Sequence, residues 1–109
     1  MAALATSVVP LDGATVTYTA ATLAGDDCAT GAGVLLLVKN DDVASHTVTL
    51  VTPGTVNGLA IADRPIVVAA GAEVAIPVTT DYRAPSTGRA SITYDAVTSV
   101  TVAVIRVPV

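Results

Sequence analysis

Ser45 and His46 stand side by side in this chain, with the acidic pair Asp41-Asp42 just upstream. Serine, histidine and a carboxylate are the parts of a hydrolytic triad, in which the base sits beside its nucleophile and an acid orients it. Neighbours in a strand project to opposite faces. The alternating pattern from Ser45 to Thr52 reads as a strand, so these two side chains should point apart. His46 is the only histidine, and its expected place is the surface of that strand.

Asp26-Asp27 and Asp41-Asp42 could supply oxygens to Ca²⁺, which takes about six to eight. The D-x-[DN]-x-[DN]-G spacing of a calcium loop is missing, and aspartate favours turns for local hydrogen-bonding reasons. Both pairs are therefore read as turn residues, with no metal and no cofactor expected. Cys28 is the single cysteine. It has no partner for a CxxC zinc site or an intrachain disulfide, which fits a reducing cytoplasm. Glu73 is the only glutamate and has no second carboxylate to pair with across a glycosidase cleft. The glycines form neither GxGxxG nor a P-loop. No catalytic residue is expected, and the chain is not expected to be an enzyme.

Tyr82, Arg83 and Arg89 flank Ala84-Pro85-Ser86-Thr87-Gly88. Arginine and tyrosine are enriched where proteins grip partners, so these three are candidate contact residues.

The elements that would position them are strands. Gly33-Val34-Leu35-Leu36-Leu37-Val38-Lys39-Asn40 is apolar on both parities, as a strand covered on both faces would be. It is far too short to span a bilayer. Residues 1–13 read as an extended arm ending in the turn Pro10-Leu11-Asp12-Gly13. Ala14 to Ala20 alternates as a half-buried strand with Val16 and Tyr18 on one side, and Ala24 to Gly31 is a polar loop. Strands 34–39 and 45–52 are expected to form an antiparallel hairpin. Pro53 to Asp63 is expected to carry the chain between two sheets. Ile66-Val67-Val68 turns at Ala70-Gly71 into Val74, Ile76 and Val78. A second long loop, 80–89, leads to strands at Ile92 and Tyr94 and at Val100, Val102 and Val104. Pro77 belongs on an edge or a bulge. No apolar 3.6-residue period accompanies helix caps. The expected fold is all-β: an antiparallel β-sandwich, Ig-like or barrel-like, of about seven strands. It is one domain over 14–109, preceded by the arm at 1–13.

Composition narrows the function. Of the 109 residues, 52% are hydrophobic yet only 13% are charged, about half the usual share. Phe and Trp are absent, so Val, Ile, Leu, Ala and Thr must fill the core and cover much of the surface. Uncharged apolar surface usually means contact with other chains. Such a surface also leaves strand edges open to pairing, and a homotrimer would cover them. The net charge is −4, and scattered basic residues make no stripe for nucleic acid. The start of the chain lacks the basic region and long apolar core of a secretory signal. No membrane partner is expected.

An ordered set of segments carries a resemblance. It runs through Val38-Lys39-Asn40, Ser45-His46-Thr47-Val48-Thr49-Leu50-Val51-Thr52-Pro53-Gly54-Thr55-Val56 and Gly58-Leu59-Ala60-Ile61-Ala62-Asp63-Arg64. It continues through Ala69-Ala70-Gly71, Asp81-Tyr82-Arg83, Gly88-Arg89-Ala90-Ser91-Ile92-Thr93-Tyr94 and Thr98-Ser99-Val100-Thr101-Val102-Ala103-Val104. In these the chain resembles small virion proteins of tailed phages that infect actinobacteria. The resemblance implies a head decoration (cement) protein on the capsid exterior, made in the host cytoplasm and often trimeric. Its partners would be the major capsid protein and further copies of itself. The alternative is a tail or host-facing carbohydrate-binding β-sandwich, for which three tyrosines make a thin platform. The expected contacts are Leu4, Val8, Val9 and Pro10 of the arm; Val56, Leu59, Ile61 and Arg64 in and beside the 53–63 loop; and Tyr82, Arg83 and Arg89.

Overall fold

The apolar run after Gly33 becomes strand β5 (Val34–Asn40) of a two-sheet sandwich. The computed structural model describes residues 2–108. The other strands are β1 (Ala2–Ala3), β2 (Thr6–Val8), β3 (Thr19–Ala20), β4 (Asp26–Cys28), β6 (His46–Leu50), β7 (Thr55–Val56), β8 (Leu59–Ala60), β9 (Arg64–Val68), β10 (Glu73–Pro77), β11 (Ala90–Tyr94) and β12 (Val100–Arg106). A 3₁₀ turn at Thr80–Tyr82 is the only helical element among the described residues. The first sheet runs β1-β4-β11-β6-β9; the second runs β10-β5-β12-β2, with β3 also paired to β12. The fold is all-β and sandwich-like, with mixed sheets, because β1 lies parallel to β4 and β2 parallel to β12.

β5 buries Val34, Leu36, Val38 and Asn40, while Leu35, Leu37 and Lys39 are only half covered on the outer face. The unbroken run thus marks a central strand but not one sealed on both sides. From the facing sheet Cys28, Val48, Leu50, Val68, Ala90 and Ile92 complete the core, and Ile76, Val78, Val100, Val102 and Val104 extend it. Burying a residue of Leu or Ile size stabilises by about 1.5–3 kcal/mol. With no Phe or Trp, β-branched residues interlock across the gap, and only Tyr82 and Tyr94 bring aromatic rings against the cluster.

Several local expectations give way to tertiary partners. β5 and β6 are not a hairpin: β5 pairs with β10 and β12, and β6 with β11 and β9. Asn40 explains the change. Its buried carboxamide donates to the carbonyls of Ala44 at 2.9 Å and Val68 at 3.0 Å, and its Oδ1 accepts the N–H of Asp42 at 3.0 Å. These bonds fix a corner that lifts the chain into the other sheet. The next two connections are exchanged in role. The 53–63 segment returns β9 beside β6 in one sheet, whereas Ala70-Gly71 carries the chain across to β10 in the other.

The polar loop 24–31 contains β4, which buries Asp26 and Cys28. Of the strand expected over 14–20, only β3 forms. The arm is built into both sheets through β1 and β2, crossing between them at Leu4 and Ala5. Pro77 lies on edge strand β10 as expected, and Pro65 lies on edge strand β9.

Candidate assembly surface

The 53–63 segment folds on itself as a two-stranded finger, β7 against β8, closed by Asn57 (φ 54°) and Gly58 (φ 78°). Two successive positive φ angles make the tight turn whose twist suits a hairpin, and Asn-Gly is its preferred sequence. The finger's base is tied by the Asp63 carboxylate, which accepts the N–H of Thr52 at 2.8 Å. Its apolar side chains are largely exposed. Val56 is 59% exposed, Leu59 73% and Ile61 40%, and Val67 on the neighbouring edge strand is 66% exposed.

Beside the finger a groove of about 700 Å³ is lined by Thr52, Ile61, Asp63, Arg64, Pro65 and Tyr82. It is adjoined by a cleft of about 340 Å³ along the open seam between β9 and β10, where Ile66, Val74, Ile76 and Pro77 meet the same Arg64 and Tyr82. Three of the expected contact residues, Ile61, Arg64 and Tyr82, therefore line one groove, and Val56 and Leu59 pair with each other on the finger beside it. Arg83 is exposed on the adjoining connection, bridged to Ala90.

The others lie elsewhere. Val8, Val9 and Pro10 follow the β2 edge on the opposite side, with Val8 68% exposed. Leu4 belongs to the core cluster and presents almost nothing to a partner. Arg89 is also turned inward: its guanidinium pairs with Asp27 and donates to the Leu4 carbonyl at 2.9 Å. As a surface contact Leu4 is therefore excluded by its burial, whereas Arg89 stays about a third exposed with its guanidinium engaged by Asp27 and the arm. Val67 was missed, although inward Ile66 and Val68 leave it facing out by strand alternation.

The polar residues raised for chemistry are tied into the fold. His46 is buried rather than on the surface, with Nε2 facing Asp42 Oδ2 at 2.8 Å and Nδ1 facing Asp95 Oδ1 at 3.4 Å. Its pKa is raised above the ordinary histidine value, chiefly by the hydrogen bond to Asp42. The Asp42 pKa is lowered by that same bond. For Asp95 burial pushes upward, but backbone hydrogen bonds with Thr47 and Ala96, together with His46, outweigh it and hold the acid low. The two ring nitrogens face different carboxylates, so this group does not converge on one ion. Ser45 is exposed while His46 is buried, as the alternation requires.

Asp26 is fully buried, and its Oδ2 accepts the Tyr94 hydroxyl at 2.7 Å and the Thr22 N–H at 3.2 Å. Burial first, then this bond, pushes the Tyr94 phenol well above its usual range. Cys28 is fully buried and its thiol is pushed up to about 11, chiefly by burial, so it stays protonated and inert. Glu73 is not merely solvated, since it accepts the Tyr18 hydroxyl. Among the described residues no group of three or more His, Cys, Asp or Glu is placed to hold a metal ion. No helix among them is long and apolar enough to cross a membrane.

Compared with known protein families, with curated proteins and with solved structures, the chain matches none.

Proposed function

We propose that this chain is a non-enzymatic assembly part, a head decoration protein that grips the outside of a phage capsid and bridges its major subunits. The observation that carries this reading is the exposed apolar finger: Val56, Leu59 and Ile61 stand at one end of the sandwich beside a groove lined by Ile61, Arg64 and Tyr82, and Val67 is exposed on the outer face of the adjoining edge strand. A large apolar patch with a polar rim is the signature of a protein contact. The segments that carry the resemblance to small virion proteins include this finger, Arg64 and Tyr82. The mode of action is cross-bridging. Each copy buries apolar surface on more than one capsid subunit, so opening the shell means breaking several contacts together. Self-association, expected as a trimer, would cover the remaining edges.

Cryo-microscopy of the particle that carries this chain tests the proposal. The expected result is density for the sandwich on the capsid exterior, with the finger and Arg64 against capsid subunits. Absence of the chain from the exterior overturns it, and density confined to the tail selects the host-facing alternative.

A further inference from the structure

The N-terminal residues Ala2 to Val9 pair into both sheets, through β1 to β4 and through β2 to β12, in a defined register. Parallel pairing sets Ala2 and Ala3 opposite Asp26 and Asp27, then Thr6, Ser7 and Val8 opposite Val104, Ile105 and Arg106. The Ala2, Leu4 and Val9 N–H groups donate to the carbonyls of Gly25, Asp27 and Arg106 at 3.1, 2.8 and 2.9 Å. Arg89 donates to the Leu4 carbonyl from the far side of β4. Yet Leu4 is the only side chain of the segment that is buried. The arm is held by an address more than by bulk.

What joins it to the rest is irregular and is anchored at its far end, where the Tyr18 hydroxyl donates to Glu73. Residues 10–18 contain no strand; they turn at Pro10, whose carbonyl accepts the Gly13 N–H at 2.9 Å, and Gly13 has φ 90°. Leu11 at the tip is 95% exposed. Straightened, these residues reach roughly 30 Å at about 3.3 Å each. The two smaller dimensions of the molecule are 35 and 20 Å.

We infer that residues 2–9 exchange between copies: the arm of one chain docks on β4 and β12 of a neighbour, in the register it keeps at home. The occupant is a second copy, because the slot is built for this chain's own sequence. Closed and exchanged forms share every arm contact, so only the 10–18 hinge and the concentration of copies separate them. A short flexible tether gives the arm an effective concentration in the millimolar range at its own slot. Dilute chain is then closed, and exchange sets in where copies are crowded. The inference deepens the self-association in the proposed function but needs no capsid.

The test uses the full chain with Cys28→Ala, folding checked by circular dichroism. Ser7→Cys and Ile105→Cys variants are mixed at millimolar concentration, oxidised and weighed by non-reducing mass spectrometry. Exchange predicts a mixed covalent dimer far above the two-to-one excess of random collision. The double variant should close within one chain when dilute. A random product mixture, or closure within one chain at every concentration, overturns the inference. A second variant lacking residues 11–17 keeps only Pro10 and Tyr18 between Val9 and Thr19, roughly 10 Å of chain at about 3.3 Å per residue, whereas those ends lie about five residues apart along β12. It cannot fold home and should form closed oligomers at micromolar concentration. Its remaining monomeric in light scattering would also overturn it. Neither readout involves a particle, so failure on the capsid and failure of exchange are separate results.

Discussion

The imidazole of His46 is held 2.8 Å from the Asp42 carboxylate, four residues back across the β5–β6 corner, while its other nitrogen looks toward Asp95 beyond β11. A strand histidine is thereby made into a clamp between two connections. Its strength depends on pH from both sides.

The raised pKa of His46 means that its stabilisation is complete below the ordinary histidine value, about 6.5. It is lost as the pH rises through the raised value. The lowered pKa values of Asp42 and Asp95 give stabilisation that is complete above the ordinary carboxylate range, about 4. That part is lost as the pH falls through the lowered values. Urea midpoints should therefore peak between about pH 4.5 and 6. His46→Gln should flatten the decline above about pH 6.5, and an unchanged slope in that variant would assign the decline elsewhere.

Asn40→Ala should destabilise by about 3 kcal/mol in urea unfolding, because it strands the Ala44 and Val68 carbonyls and the Asp42 N–H at a buried corner. Asn40→Asp should be worse despite its equal size. It replaces the donor by a carboxylate that faces two carbonyl oxygens.

Tyr94→Phe keeps the ring against the core but removes the hydroxyl from Asp26, whose Oδ1 is already buried with no hydrogen-bond partner. A loss of about 2 kcal/mol is expected in thermal or urea unfolding. An isostable variant would mean that the carboxyl finds another donor.

Arg89→Met should cost about 2 kcal/mol, since it leaves Asp27 and the Leu4 carbonyl without their cation. Hydrogen exchange should locate the damage. The Ala2 and Leu4 amides, which hydrogen-bond within the arm's docking site, should lose protection while those of β5 and β12 keep theirs.

Leu59→Asp should leave stability within about 0.5 kcal/mol, as a substitution at an exposed position does. It should still abolish retention on purified capsids in a sedimentation assay. Retention at the level of the unaltered chain would remove the finger from the contact.

Strand identity was legible wherever side chains decide it. Val34 to Asn40, Val100 to Val104 and the edge position of Pro77 all follow from local pattern and proline chemistry. Which strand pairs with which was not legible. Whether 40–45 is a hairpin loop or a corner depends on Asn40 meeting Val68, a partner distant in sequence. β4 looked like a loop because Asp26 and Asp27 favour turns in isolation, whereas here Tyr94 and Arg89 supply their donors. The same failure hid the burial of His46, whose partner Asp95 lies beyond the next strands. At the candidate surface the 53–63 segment was expected as a crossing loop, and the finger it forms was signalled only by Asn57-Gly58, the preferred pair for a tight hairpin turn. The inward turn of Arg89 was not, since long polar side chains show their destination only in the fold.

Pro65 and Pro77 sit on the two strands that border the open seam. Each withholds an N–H that an incoming backbone would need. A chain this poor in charge would otherwise risk zipping edge to edge into insoluble fibrils as its concentration climbs during expression. The prolines withhold one donor on each bordering strand, which blunts that flank against β-growth while leaving its apolar side chains in place.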